Sequence, residues 1–300
     1  MDYFVPVPGT AMPSFASSTL LLPQPSLSSV AQLACDLLVH NCALKLVGYL
    51  GVRDFVPAVG ARDALPGSEG EVEGLSLGTE VYTNPSRTLT LVLPRTPVIH
   101  ARKAHHLDAM ARFVAAGGFR DVLVVAGVDA AMRGDEALNA PTPLWHLIPS
   151  SSSSTSSPLL ASLQSLAPPY SASSTSSSTT LPSLPHAGLT RSLLAALSPP
   201  PSSSSSSAST QPQPQVPTAA LLAYTAEGTA APLAHLVATA LAHVLGLPLP
   251  AGAPAPAQQG EAGLEEGDDE GTTWVEPVSW ERGLMGVELE RDGGGREMFS

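Results

Sequence analysis

One short stretch constrains the fold more than any other. Val122–Ala126 is an unbroken apolar run, too short for a helix and apolar on both alternating faces. Such a run reads as a strand buried on both sides of a sheet. It follows an amphipathic helix pattern, Leu107, Met110, Ala111 and Val114, which Gly117-Gly118 closes. Before that helix lies another apolar run, Thr88–Leu93. Strand, helix and strand in this order predict a βαβ crossover, hence a parallel sheet covered by helices.

Other segments extend the pattern. Thr19–Leu22 reads as a short apolar strand. Ser28 or Ser29 is placed to cap a helix carrying Val30, Leu33, Ala34, Leu37 and Leu38 at helical spacing. Leu46–Leu50 and Val81–Tyr82 are further strands, with Asn84-Pro85-Ser86 as a tight connection. Later, Leu189–Leu197 reads as a helix and Ala219–Tyr224 as a strand. Pro232 opens a helix bearing Leu233, Leu236, Val237, Ala240, Leu241 and Val244, which Gly246 stops.

Between these segments the composition changes abruptly. Ser150–Ser157 and Ser171–Thr180 are almost wholly Ser and Thr, and Pro199–Pro217 is dominated by Pro, Ser and Gln. Such tracts bury too little apolar surface to offset a chain entropy of ~1–2 kcal/mol per residue. They read as disordered insertions in surface loops. The 30 prolines and the low 13% of charged residues fit a folded body diluted by this filler, since charged residues usually make up about 25%. The expected organisation is a flexible start (1–18), the main α/β part (19–149), low-complexity insertions with short structured segments (150–217), and a strand and helix of the same domain (218–247). An acidic, Pro/Gly-rich linker (248–273) and a C-terminal segment with its tail (274–300) follow.

Charge narrows the partners. Residues 261–300 hold 12 acidic against 3 basic residues, so they supply −9 of the net −12. The rest is nearly neutral and offers no basic field for nucleic acid. The first basic residue is Lys45, so the start lacks the positive region of a secretory signal. No uncharged apolar run reaches the ~18 residues that would span a bilayer. A soluble intracellular protein without a membrane partner is expected.

Candidate chemistry is sparse. Cys35 and Cys42 lie seven apart, on one face of a helix but ~10 Å apart, too far for a disulfide. They read as small buried hydrophobes. His100, His105 and His106 invite a metal, yet His105 and His106 diverge by about 100° on a helix, and no further ligand completes a set. A surface cluster at a helix N-terminus is the favoured reading. Gly127-Val128-Asp129 follows a parallel strand, where open α/β sheets bind ligands. No G-x-G-x-x-G, Walker or G-x-S-x-G sequence accompanies it. Asp129, Asp135 and Glu136 are acids with nothing nearby to orient them. No catalytic residue, metal site or cofactor is assigned.

Several stretches together resemble the proteasome assembly chaperone family. The likeness runs through Thr19–Pro23, Ser29–Leu38, Val47-Gly48-Tyr49-Leu50 and Phe55-Val56-Pro57-Ala58-Val59-Gly60. It resumes at Glu80-Val81-Tyr82, Pro85-Ser86-Arg87 and Val122–Val125, and more loosely at Gly188-Leu189-Thr190, Ala220–Gly228 and Trp274–Trp280. The resemblance implies a three-layer α/β sandwich with a mainly parallel central sheet and a non-enzymatic role in cytoplasm and nucleus. Members pair with proteasome assembly chaperone 1. That heterodimer binds the α subunits of the 20S proteasome, promotes α-ring formation, and blocks ring dimers and premature activator docking. The resemblance also implies a docking tail: Met298 as the hydrophobe, Phe299 as the aromatic residue and Ser300 as the donor of the terminal carboxylate. Phe stands where the family pattern has Tyr, which forfeits one hydrogen bond, about 0.5–1.5 kcal/mol. The acidic run Glu261–Glu270 reads first as a solvated linker, with electrostatic steering toward the α-ring as its functional alternative. Two rival readings stay open: a small-molecule hydrolase or phosphorylase on a related fold, and a disordered adaptor whose Ser/Pro tracts bind.

Overall fold

The computed structural model describes residues 3–67, 74–152, 157–170, 181–198, 216–228, 230–250 and 274–281, without the side chains of 135, 136 and 281. The chain begins with β1 (Phe4–Pro6), β2 (Thr19–Pro23), α1 (Val30–Asn41), β3 (Lys45–Leu50), β4 (Val59–Ala61) and β5 (Leu75–Leu77). It continues with β6 (Thr79–Thr83), β7 (Leu89–Pro94), α2 (Lys103–Gly117), β8 (Asp121–Asp129), α3 (Asp135–Leu138) and β9 (Leu144–Leu147). Then come α4 (Pro158–Leu166), α5 (Thr190–Leu197), β10 (Thr218–Thr225), α6 (Ala231–Leu245) and α7 (Val278–Glu281).

The main sheet has the order β1-β3-β6-β7-β2-β8-β10-β9. Its centre, β7-β2-β8-β10, is parallel, and the pairings outside that centre are antiparallel. The expected crossover is β7–α2–β8, and both strands pair with β2, which lies between them. Period-two alternation then sorts the apolar side chains into two cores. Leu123 and Val125 of β8 enter one core, with α1, α4 and α6; Val122 and Val124 enter the other, with α2 and α5. This is a three-layer α/β sandwich.

Local signals explain some helix ends: Pro lies in the first turn of α4 and α6, and Gly follows α2 and α6. Gly118 ends α2 in the left-handed region at φ 67°, which glycine adopts without steric cost. The expected serine cap of α1 does not form. Ser28 and Ser29 both have positive φ, and neither hydroxyl caps the helix. Ser28 donates instead to the Ala226 carbonyl, tying the start of α1 to the end of β10. Cys35 and Cys42 are free, buried thiols, and burial pushes Cys42 up to about 11.

The ordered body is larger than the composition suggests. Residues 3–17 supply β1, paired with β3, and Phe15, which sits in a cluster with Phe4, Phe113 and Phe119. The first Ser tract is anchored at both ends. Ser152 accepts from the Thr218 amide at 3.2 Å, and the Ser157 hydroxyl donates to Asp121. The helix α4 follows, with Pro158 in its first turn and Leu159, Leu160 and Leu163 buried.

The C-terminal segment is part of the same core. Trp274 and Trp280 are both buried on the α1/α6 side. The Trp274 indole N–H donates to Thr239 at 3.0 Å, and His235 stacks on Trp280 while pairing with Glu276.

Candidate binding surfaces

The crevice at the carboxyl ends of β2, β8 and β10 is where a parallel sheet would bind a ligand. Here it is filled by chain. The Gly127 amide donates to Ser26 Oγ at 2.8 Å, and a Cβ on Gly127 would lie 2.9 Å from the Leu27 carbonyl oxygen. The Asp129 amide donates to the Pro185 carbonyl, and its carboxylate accepts from the Ala131 amide and faces His186 at 3.0 Å. Asp129 therefore fixes a turn. The side chains of Asp135 and Glu136 lie outside the described set.

The histidines divide. His100 and His105 stay exposed, whereas His106 is buried against Phe55, contrary to a purely surface cluster. The reason is Asp54, a fully buried carboxylate that collects donors. Arg102 donates at 2.8 Å, Tyr3 at 2.9 Å, and His105 Nδ1 lies 2.9 Å away. The Tyr3 hydroxyl has one proton, so it accepts from His106 Nδ1–H at 2.7 Å. Burial alone would raise the Asp54 carboxyl, but the bonds from His105, Tyr3 and Arg102 together hold it below its ordinary range. Burial pushes His106 down to about 4. The cluster pins the start of β1 to the start of α2.

The Glu80-Val81-Tyr82 stretch also has a structural role. Glu80 and Tyr82 point to the α1 side of β6, where Tyr82 donates to Glu80 at 2.9 Å. Arg95 reaches Glu80 at 3.3 Å and also pairs with Asp36 of α1. Glu80 Oε1 finds no partner among the described residues. Burial raises the Asp36 carboxyl despite Arg95, and Arg95 is held more firmly protonated by the acids around it. Pro85-Ser86-Arg87 forms the exposed turn between β6 and β7, closed by Asn84, whose side chain accepts from the Thr88 and Leu89 amides.

The most open apolar surface lies elsewhere. The stretch Phe55–Gly60 leads into β4, and with β5 it forms a groove of 380 Å³ lined by Val52, Phe55, Val56, Val59, Leu77 and Thr79. Val59 is 66% exposed and the neighbouring Leu75 58%, whereas most large apolar side chains among the described residues are covered. Sequence reasoning missed this surface, because exposed and buried valines look alike. The Pro57 and Gly60 that break periodicity around Val56 and Val59 were the available signal. The tail residues Met298, Phe299 and Ser300, and the run Glu261–Glu270, lie outside the described residues. Among the described residues, no three His, Cys, Asp or Glu side chains gather to hold a metal, and no helix is long and apolar enough to cross a membrane.

Comparison with known proteins agrees with this architecture. Proteasome assembly chaperone 2 of Homo sapiens is 32% identical over 145 residues, 48% of this chain and 54% of that protein. The Danio rerio protein of the same name is 30% identical over 140 residues, 47% of this chain and 53% of its own length. The chain thus spans about half the length of the curated relatives it matches. Among solved structures, Pyrococcus furiosus PbaA, an archaeal homolog of proteasome-assembly chaperone, superimposes with a TM-score of 0.54. That match has 14% identity and covers 79% of this chain and 85% of PbaA, so it speaks to the fold alone. The PAC2 family model matches residues 20–255, from β2 past the end of α6. The chain belongs to the PAC2 family.

Proposed function

We propose that this chain is a non-enzymatic subunit of a proteasome assembly chaperone. In this reading it pairs with proteasome assembly chaperone 1, and the heterodimer binds proteasome α subunits. There it supports α-ring formation and prevents ring dimers and premature activator docking, in cytoplasm and nucleus. The observation that carries the reading is the 32% identity to a protein named for proteasome assembly. The filled crevice at Gly127–Asp129 favours binding over catalysis, since a substrate would have to displace Ser26 and Leu27. The docking tail Met298-Phe299-Ser300 belongs to the same proposal.

The test is a pull-down of the tagged chain from native cells at mild salt, with bound proteins identified by mass spectrometry. Proteasome α subunits and one related chaperone, without mature activator particles, are expected. Capture of neither would overturn the reading. For the tail, deletion of residues 298–300 should weaken capture of α-ring intermediates, and unchanged capture would remove it from the mechanism.

A further inference from the structure

The contacts that hold residues 274–281 differ in kind from those of the core beneath them. Trp274 and Trp280, six positions apart, are buried with the apolar residues of α1 and α6. Between them the segment stays near the surface, with Val275 46% exposed, and the body meets it with polar groups. Thr239 accepts the Trp274 indole N–H at 3.0 Å. The Asn41 side chain, at the end of α1, clasps the Val275 backbone: its Nδ2 donates to the carbonyl and its Oδ1 accepts from the amide, each at 3.0 Å. His235 pairs with Glu276 at 3.0 Å and stacks on Trp280. The Ala64 carbonyl accepts from the Val278 amide at 2.9 Å, and Asp63 accepts from both the amide and the hydroxyl of Ser279. Two buried aromatic anchors, an amide that reads backbone and a carboxylate that reads a serine are the parts of a peptide-recognition site.

The segment also stands apart from the fold it covers. The described strands and α1 to α6 all precede residue 246, the family match ends at residue 255, and residues 251–273 of the sequence intervene. The helices α1 and α6 pack directly on each other, so the face does not need the segment to bring its two halves together.

We propose that the α1–α6 face is a docking site for peptides with two tryptophans six positions apart and an acid and a serine between them, and that residues 274–281 of the same chain occupy it as a displaceable ligand. Covalent linkage keeps this ligand at a high local concentration, so a partner peptide of the same chemistry enters only by displacing it. The proposal goes beyond the assembly reading and does not depend on it.

The test is a fluorescence-anisotropy titration of the full chain against a labelled, end-capped peptide of residues 274–281. Trp274→Ala with Trp280→Ala removes the anchors of the chain's own ligand, and this variant should bind the peptide at least about tenfold more tightly than the parent. Glu276→Ala with Ser279→Ala keeps both indoles in place and removes only polar ties near the surface, so folding is preserved. That chain should bind the peptide about threefold more tightly than the parent. A peptide with alanine at both tryptophan positions should bind none of the three chains. Urea unfolding establishes that each variant is folded. No gain in a folded tryptophan variant overturns the proposal, because the segment is then a fixed part of the core. Where that variant does not fold, equal affinity of the Glu276→Ala, Ser279→Ala chain and the parent overturns it. Peptide uptake that comes only with the breakdown of a dimer, read by size-exclusion chromatography, overturns it in favour of exchange of the segment between copies.

Discussion

Two buried carboxylate clusters, built from similar parts, behave in opposite ways. Around Arg95, one cation sits between two acids, Asp36 and Glu80, and one Glu80 carboxylate oxygen has no partner among the described residues. Around Asp54, one acid sits among Arg102, Tyr3 and His105. The first site is short of donors, so burial wins and the Asp36 carboxyl rises. The second has donors in excess, so the Asp54 carboxyl falls. Burial pushes both carboxyls up; Arg95 alone does not offset that push at Asp36, whereas His105, Tyr3 and Arg102 together more than offset it at Asp54. Their places in the fold differ as well. The Arg95 cluster locks α1 onto β6 and β7 in the interior, whereas the Asp54 cluster ties loops and the edge strand β1.

The largest effect is expected from removing the scarce cation. Arg95→Met strips Asp36 and Glu80 of their counter-charge in a site where Glu80 is fully buried. Breaking a buried pair in this way costs about 3–5 kcal/mol. Urea unfolding of the variant measures it. A loss below about 1 kcal/mol would mean that the two acids neutralise themselves by taking up a proton, and the donor shortage would then be harmless.

Acid should separate the clusters by sign. His106 has a folded value of about 4 against 6.5 when free. The unfolded chain therefore binds its proton first, and stability is lost as pH falls from about 6.5 towards 4, by about 2 kcal/mol at pH 5. Asp54, lowered in the fold, adds a further loss below its ordinary value of 3.8. Asp36, raised in the fold, works the other way: above 3.8, stability rises as pH falls through its folded value. Amide exchange at pH 5 should accordingly loosen β1 while β6 and β7 stay protected. In His106→Gln the loss between pH 7 and pH 5 should shrink by about 2 kcal/mol. An identical pH dependence in variant and parent would remove His106 from the edge latch.

The sequence was legible where one strong period held over a whole element. The all-apolar runs of β8 and β10 and the helical stripes of α1, α2 and α6 each announce a buried face, and two strands flanking α2 announce the crossover. The short strands β1, β4, β5 and β9 have three or four residues each, beside Pro or Gly, and only tertiary pairing makes them strands. Their neighbours could not be read either. Tyr3, Asp54 and His106 meet across 51 and 103 positions of sequence, because β1 returns to pair with β3. The resemblance motif at Glu80–Tyr82 was visible in the sequence, but its partners Asp36 and Arg95 come from α1 and the end of β7. The exposed groove was hidden by residue type, since exposed valine and leucine, as at Val59 and Leu75, cannot be told from buried ones in a sequence.

The smallest effect is expected at the counterpart of Arg95. Arg102→Met also removes an arginine from a fully buried carboxylate, but Arg102 is 41% exposed along its side chain, and water screens the pair. Asp54 keeps the Tyr3 hydroxyl and His105 as donors after the change, so no buried charge is orphaned. The cost should stay below about 1 kcal/mol, and added salt should shrink the difference between variant and parent further. Urea unfolding of Arg102→Met beside Arg95→Met, at two salt concentrations, measures both. Equal losses in the two variants would break the contrast, because the cost would then follow the burial of the carboxylate and not the number of donors left to it. A small, salt-sensitive loss at Arg102 beside a large, salt-insensitive one at Arg95 would place the difference in the donor count.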